Sequence, residues 1–271
     1  MPIVKVLTIA GSDSGGGAGL QADLKTFAAL GVYGCSVVTA VTAQNTCQVT
    51  GIFDVTPEMV EKQLAAVLSD IQPHAIKIGM LSNSRIVRVV AESLRAYLSV
   101  PIVLDPVMVA KSGARLLSAE AIAVLKRELI PLATVLTPNI PEAEVLVGKA
   151  LPGDEDLFEA CKAIRTLGAQ VVVLKGGHRP TETDGSRQVV DVYYDGEKIR
   201  LVKGPWVPTL HTHGTGCTYA SAIAVGLARG DGPFRAVGLA REYLTGALQA
   251  AFPVGQGTGP VHHFFHWWPK G

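Results

Sequence analysis

Ile3-Val4-Lys5-Val6-Leu7-Thr8-Ile9-Ala10-Gly11-Ser12-Asp13-Ser14-Gly15-Gly16-Gly17-Ala18-Gly19 runs an apolar, β-branched segment straight into a nine-residue loop that holds five glycines. Leu20 to Leu30 follows with the spacing of a helix and stops at Gly31. Strand, glycine loop and helix in that order open a βαβ unit, the building block of a parallel sheet. Clustered glycines let backbone N–H groups approach a ligand closely, and five exceed what a turn alone requires. Gly17-Ala18-Gly19-Leu20-Gln21-Ala22 formally fits the G-x-G-x-x-A dinucleotide fingerprint. The fit is weak, because the loop is long and Gln44-Asn45 stand where a ribose-binding acid should close the second strand. No G-x-x-x-x-G-K-[ST] occurs, which excludes a Walker loop.

The same alternation extends along the chain. Strands are expected at Val37–Thr42, Ala75–Ile78, Ile102–Leu104, Val135–Leu136 and Val171–Leu174, with helices from Pro57, over Ser84–Leu98 and over Ala119–Leu129. In the helix from Pro57, Val60, Leu64, Val67, Leu68 and Ile71 fall on one face of a 3.6-residue period. Val189–Tyr194 and Lys198–Val202 turn around Asp195-Gly196 as a hairpin. After Gly214-Thr215-Gly216-Cys217 a small-residue, deeply packed helix should run to about Ala228, and a last one from Pro233 to Ala251. The expected fold is α/β, a mainly parallel central sheet flanked by helices in three layers with a small β lid or hairpin. With no repeat or linker, residues 1–271 read as a single domain.

Composition narrows the function. The 271 residues carry 24 Lys+Arg against 23 Asp+Glu, a net charge of +1, with 48% hydrophobic residues. Disorder needs the opposite balance, and a nucleic-acid binder would show a basic face. No apolar stretch approaches the 18 or so residues of a membrane span. The N-terminus lacks the features of a secretory signal, so a cytoplasmic location is expected. Cys35, Cys47, Cys161 and Cys217 form no C-x-x-C pair and read as reduced thiols, the first three as buried small hydrophobes.

Ligands of open α/β sheets bind beyond the carboxyl ends of the strands. Gly11, Asp105, Asn139 and Lys175 each lie just past an expected strand end, so they should converge on one rim. His213-Gly214-Thr215-Gly216-Cys217-Thr218 opens a helix with a bare backbone, an anion site by virtue of its free N–H groups and dipole. A thiol there should have a depressed pKa, making Cys217 a base or nucleophile, although a packed, inert Cys is the competing reading. Thr137-Pro138-Asn139-Ile140-Pro141-Glu142 could shelter Mg²⁺, an oxygen-seeking ion that bridges phosphates, or could be a helix cap with Glu at its third residue. Asp105 and Lys175 complete a charge set suited to magnesium-nucleotide transfer. His262-His263-Phe264-Phe265-His266-Trp267-Trp268 reads as an aromatic plug docked on the body, ahead of a metal site. His74 and His178 stay unassigned.

These motifs together resemble the hydroxymethylpyrimidine/phosphomethylpyrimidine kinases of thiamine biosynthesis, in the ribokinase-like superfamily. The resemblance also rests on Gln21-Ala22-Asp23-Leu24-Lys25-Thr26, Thr42-Ala43-Gln44-Asn45-Thr46, Lys77-Ile78-Gly79-Met80-Leu81, Asp105-Pro106-Val107-Met108, Lys111-Ser112-Gly113, Lys175-Gly176-Gly177-His178 and Gly259-Pro260-Val261-His262-His263. It implies phosphorylation of 4-amino-5-hydroxymethyl-2-methylpyrimidine to the monophosphate and then to the diphosphate, with ATP and Mg²⁺. By the same resemblance, Gln44 reads the aminopyrimidine edge, Gly11, Ala18, Met80 and Val107 wall the pocket, and Asp23 stands nearest the hydroxymethyl group. Lys175 contacts phosphate, Asp105, Asn139 and Glu142 surround Mg²⁺, and Gly214, Thr215 and Gly216 lead into the anion hole. Most sugar and nucleoside kinases of the superfamily carry an Asp base where this chain has Cys217. The expected partners are the pyrimidine and ATP, with neither nucleic acid nor membrane, and the expected assembly is a homodimer.

Two other readings stand beside this one. A pyridoxal kinase would be expected to carry a second Cys in its lid, where this chain has Ala110. A non-catalytic pyrimidine or nucleotide binder would not need an acidic shell beside Lys175 and an anion hole.

Overall fold

A computed structural model describes residues 3–108, 117–177, 181–183 and 185–268. The chain runs β1 (Lys5–Asp13), α1 (Gly19–Ala29), β2 (Tyr33–Gln44), β3 (Val49–Asp54), α2 (Pro57–Asp70), β4 (Ala75–Ile78), α3 (Ser84–Leu94) and β5 (Ile102–Leu104). It continues through α4 (Ala119–Val124), β6 (Val135–Leu136), α5 (Ile140–Val147), α6 (Asp154–Arg165), β7 (Val171–Leu174), β8 (Thr181–Thr183), β9 (Ser186–Tyr194), β10 (Ile199–Pro205), α7 (Thr215–Ala228) and α8 (Pro233–Gln249).

One sheet takes the strands in the order β10-β9-β7-β6-β5-β4-β1-β2-β3, with β8 paired to β9. From β2 across to β7 every neighbour is parallel. The edges are antiparallel: β3 on β2, and β9, β10 and β8 beyond β7. This is the expected α/β architecture, and the expected hairpin is β9–β10, which widens the main sheet.

Strand residues alternate between two cores, as a period of two requires. Leu7, Ile9, Ile76, Ile78, Ile102, Leu104, Leu136, Val172 and Leu174 face α2 to α6. Val6, Ala75, Val103, Val135, Val171 and Val173 face α1, α7 and α8. Both faces are therefore covered, which is why these strands read as unbroken apolar runs. In α7 every residue from Thr218 to Leu227 is buried, and the small side chains let the helix lie close on the sheet.

Three elements were not foreseen: β3, α6 and β8. The α3 and α4 helices are also shorter than expected, because Arg95–Tyr97 tightens into a 3₁₀ turn and Leu125–Leu129 widens into a π turn. Ala110, Lys111-Ser112-Gly113 and His178 lie outside the described residues.

What positions the site is the change of direction in strand order. The chain goes from β1 outward to β2 on one side, then returns to place β4 on the other. Neighbouring loops diverge there and leave a crevice at the carboxyl edge.

Candidate active site

A cavity of about 710 Å³ opens along that edge. Gly11 and Ala18 from the glycine loop, Gln44 from the end of β2 and Met80 beyond β4 line it near the β1–β2 side. Asp105 and Val107 follow β5, Asn139 and Glu142 follow β6, and Lys175 follows β7; all five line the same cavity. Gly214, Thr215, Gly216 and Cys217 enter it from the start of α7. Trp206, Leu244 and Leu248 wall its far side near β10 and α8, residues that carried no sequence signal.

The charged centre is tight. Lys175 Nζ donates to Asp105 Oδ1 at 2.6 Å, and Thr137 Oγ1 donates to the same oxygen at 3.2 Å. Burial pulls the Lys175 ammonium down, yet the Asp105 and Glu142 carboxylates outweigh it and hold its pKa above the usual value. Gly216 lies against this pair: a Cβ added there would sit 3.4 Å from Asp105 Oδ2 and 3.6 Å from Lys175 Nζ. The lysine and the bare helix start thus share one chamber, although about 40 residues separate them in sequence.

Asn139 and Glu142 form a reciprocal cap on α5. Asn139 Oδ1 accepts from Glu142 N–H and Glu142 Oε2 accepts from Asn139 N–H, each at 2.8 Å. The capping reading is therefore realised, and the same two side chains still reach the cavity. Burial pushes the Glu142 carboxyl up to about 7, with Lys175 opposing and Asp105 reinforcing. Two carboxylates and an amide oxygen beside one ammonium are a hard-oxygen set. That chemistry fits Mg²⁺, which takes one or two carboxylates and fills its remaining positions with water and phosphate.

Two expectations fail here. Cys217 was expected to have a depressed pKa, but burial pushes its thiol up to about 11. Lys77 and the Gly19 N–H pull downward without reversing this, and Asp23 and Asp105 add to the rise. The helix start is real; desolvation of the thiolate is larger.

Asp23 was expected beside the hydroxymethyl group, yet it is fully buried and does not line the cavity. It accepts from Thr8 Oγ1 at 2.6 Å, Ser221 Oγ at 2.7 Å and Lys77 Nζ at 2.9 Å. Its carboxylate lets Lys77, which is wholly buried and does reach the cavity, stay charged beneath Cys217. Lys77 was missed because a lysine inside an apolar strand carries no motif. Asp23→Leu, which strands that ammonium, is expected to cost about 3–5 kcal/mol. For a chain of this size that lowers Tm by roughly 10 °C, and Asp23→Leu/Lys77→Met should recover part of it. Differential scanning calorimetry checks both; an unchanged Tm in the single variant contradicts the assignment.

Asp13 and His213 were also missed as site residues. Asp13 takes backbone N–H groups from Gly15, Gly17 and Ala18 and faces His213 Nε2 at 2.9 Å, which ties the glycine loop to the start of α7. Gly214 sits at φ +79°, and a Cβ there would collide with the Gly17 carbonyl oxygen, so only glycine permits this approach. Their signal was present in sequence as two polar residues at the borders of the two glycine motifs.

Cys35 and Cys161 are buried, whereas Cys47 is exposed on the β2–β3 turn, where no core reaches it. The C-terminal aromatics dock as a plug: Phe264 stacks on Trp268, Trp267 Nε1 donates to Ala29 O at 3.0 Å, and His263 lies 3.0 Å from Thr218 Oγ1. His74 Nδ1 accepts from the Lys5 N–H at 3.1 Å, a contact at the exposed surface. Among the described residues no helix is long and apolar enough to cross a membrane.

Comparison with known proteins agrees with this geometry. Residues 13–262 match the family model described as phosphomethylpyrimidine kinase. The chain belongs to that family. A hydroxymethylpyrimidine/phosphomethylpyrimidine kinase of Rhizobium meliloti (strain 1021) is 49% identical over 265 residues, covering 97% of each chain. The solved phosphomethylpyrimidine kinase of Clostridium difficile 630 superposes with a TM-score of 0.79 at 43% identity, covering 90% of this chain and 99% of that one. A pyridoxal kinase from Staphylococcus aureus, solved with AMP-PCP and pyridoxal, superposes at 0.87 with 36% identity, covering 98% and 95%. The family's members are kinases, and the glycine loop, Lys175 and the α7 start are the parts of this chain suited to that chemistry.

Proposed function

We propose that this kinase transfers the γ-phosphoryl group of ATP to the hydroxymethyl oxygen of 4-amino-5-hydroxymethyl-2-methylpyrimidine, then phosphorylates that monophosphate to the diphosphate. The observation that carries the reading is the meeting of Gln44, Lys175, Asp105 and the Gly214–Cys217 helix start in one cavity. A relative at 49% identity bears the name of both activities.

In this reading Gln44 hydrogen-bonds the aminopyrimidine edge, since an amide donates and accepts together. Gly11, Ala18, Met80 and Val107 bound the ring. Trp206, Leu244 and Leu248 offer the apolar wall for the nucleoside. The N–H groups of Gly214, Thr215 and Gly216 and the Lys175 ammonium hold the transferring phosphoryl oxygens, whose charge is spread in a loose transition state. Asp105, Asn139 and Glu142 are the residues that would hold Mg²⁺, which supplies charge neutralisation at the phosphates when bound.

In the first step the hydroxymethyl oxygen forms its bond to the γ-phosphorus while the bond from that phosphorus to the ADP oxygen breaks. The alcohol proton passes to Cys217 Sγ in its thiolate form, the minor form of a thiol that burial pushes up to about 11. In the second step the attacking phosphate oxygen is already ionised at neutral pH, and no base is required.

Turnover of purified protein with ATP, Mg²⁺ and the pyrimidine, followed by mass, should show monophosphate first and diphosphate after it. ATP consumption that does not depend on the pyrimidine would overturn the reading. A pyridoxal kinase is the second reading, favoured by the structural neighbour that binds pyridoxal; comparison of kcat/KM for the two alcohols separates them. Free cysteines and an ATP requirement support a cytoplasmic setting for this reaction.

A further inference from the structure

Three polar side chains close the β1–β2 side of the cavity, and their protons have only one consistent distribution. Asp13 Oδ1 accepts from Gly15 N–H at 2.8 Å, and Oδ2 accepts from Gly17 and Ala18 N–H at 3.0 and 2.8 Å. A carboxylate held by three donors is an acceptor only, so His213 Nε2, 2.9 Å from Asp13 Oδ2, must carry a proton. Burial would raise the Asp13 pKa, but His213 and these N–H groups outweigh it and keep the group ionised.

Gln44 meets this proton. With Gln44 Nε2 lying 3.4 Å from His213 Nε2, two donors face each other. Gln44 Oε1 lies 3.2 Å from Thr42 Oγ1 and competes for that hydroxyl proton with the nearer Ser12 carbonyl. Thr42 has one hydroxyl proton, and the Ser12 carbonyl 2.9 Å away can take it and can give nothing back. Thr42 is left with a lone pair to offer. Exchanging the amide oxygen and nitrogen, which have the same shape, repairs both contacts at once. The carbonyl then shares, at 3.4 Å, the Nε2 proton that Asp13 Oδ2 takes at 2.9 Å, and the NH₂ donates to Thr42.

We propose that the Asp13–His213 pair locks the Gln44 amide with its carbonyl toward His213 and its NH₂ toward Thr42, which makes His213 a specificity-determining positioning residue. The proposal rests on the reading of Gln44 as the pyrimidine-binding amide. So locked, Gln44 keeps one carbonyl lone pair and one N–H for the ligand, in fixed order. An exocyclic amine beside a ring nitrogen matches that pair in one orientation of the ring. A pyridine alcohol such as pyridoxal has no amine next to its ring nitrogen and cannot use both groups. The class of ligand selected is therefore the aminopyrimidine.

Two measurements test this. Nitrogen NMR of the imidazoles in the full-length, ligand-free protein, with His213 assigned by its loss in His213→Gln, should show a proton on Nε2. A bare Nε2 with the proton on Nδ1 overturns the proposal. In steady-state kinetics, His213→Leu should lower the ratio of kcat/KM for the aminopyrimidine over pyridoxal by about tenfold or more. His213→Gln, whose amide can donate at the same place, should keep the ratio within about threefold. Equal losses for both alcohols in His213→Leu would mean a general collapse of the α7 start and would also overturn it. Failure of the underlying reading shows separately, as no turnover of the aminopyrimidine by the unaltered protein, while the imidazole spectrum decides the proton's position in either case.

Discussion

Replacing Cys217 with alanine is expected to slow phosphorylation of the hydroxymethyl group by about 10²–10⁴, the range for loss of a positioned base, and the second phosphorylation by less than about threefold. The asymmetry follows from the acceptors. An alcohol must lose a proton, whereas a phosphate monoester has its second ionisation near pH 6. The pH dependence carries the sign. With the thiol pushed up to about 11 by burial, roughly one molecule in 10⁴ holds the thiolate at pH 7. The first step should therefore accelerate about tenfold per pH unit between 7 and 9, while the second stays flat. That slope should vanish in Cys217→Ala. Rapid-quench measurement of each step decides it; equal slowing of both steps removes Cys217 from the role of base.

Lys175→Met is expected to lower kcat for both steps by about 10²–10³, the loss typical of one preorganised donor at a developing charge. Here no asymmetry arises, because the same phosphoryl group is transferred each time. Asp105 loses the ammonium that it holds at 2.6 Å, and two carboxylates remain beside the incoming phosphates. Lys175→Arg should not rescue. The site holds a compact ammonium 2.6 Å from Asp105 Oδ1, and a planar guanidinium fork on a different stem does not reproduce that point charge. A kcat within about threefold of the unaltered enzyme in Lys175→Met would place phosphate binding elsewhere.

The rim of the site was legible because it follows from topology. Asp105, Asn139 and Lys175 each stand one to three residues past a strand that could be read from its apolar run, and parallel strands deliver such residues to one edge. The depth of the site was not legible. A helix start announces its dipole in sequence, but the burial that raises Cys217, reinforced by the charges of Asp23 and Asp105 against the pull of Lys77, is assembled only by packing. Asp23 was placed in the pocket on resemblance, while the turn of α1 directs it to the buried Lys77. The α6 helix was missed although Leu157, Ala160, Cys161 and Ile164 repeat at helical spacing, because the acidic run Asp154-Glu155-Asp156 ahead of them reads as a loop. The β3 strand is exposed over nearly its whole length and therefore shows no buried alternation to detect.

The contact between the glycine loop and the first turn of α7 joins residues 200 positions apart. Closing so long a stretch of chain is slow and entropically costly compared with forming any neighbouring βα pair. On the ribosome the first nineteen residues must wait, their nest of N–H groups wrapped around Asp13, until more than three-quarters of the protein has been made. The ring-facing wall at Gly11, Gln44 and Met80 is made early, but the chamber that also holds the α7 start closes only once nearly the whole chain is present.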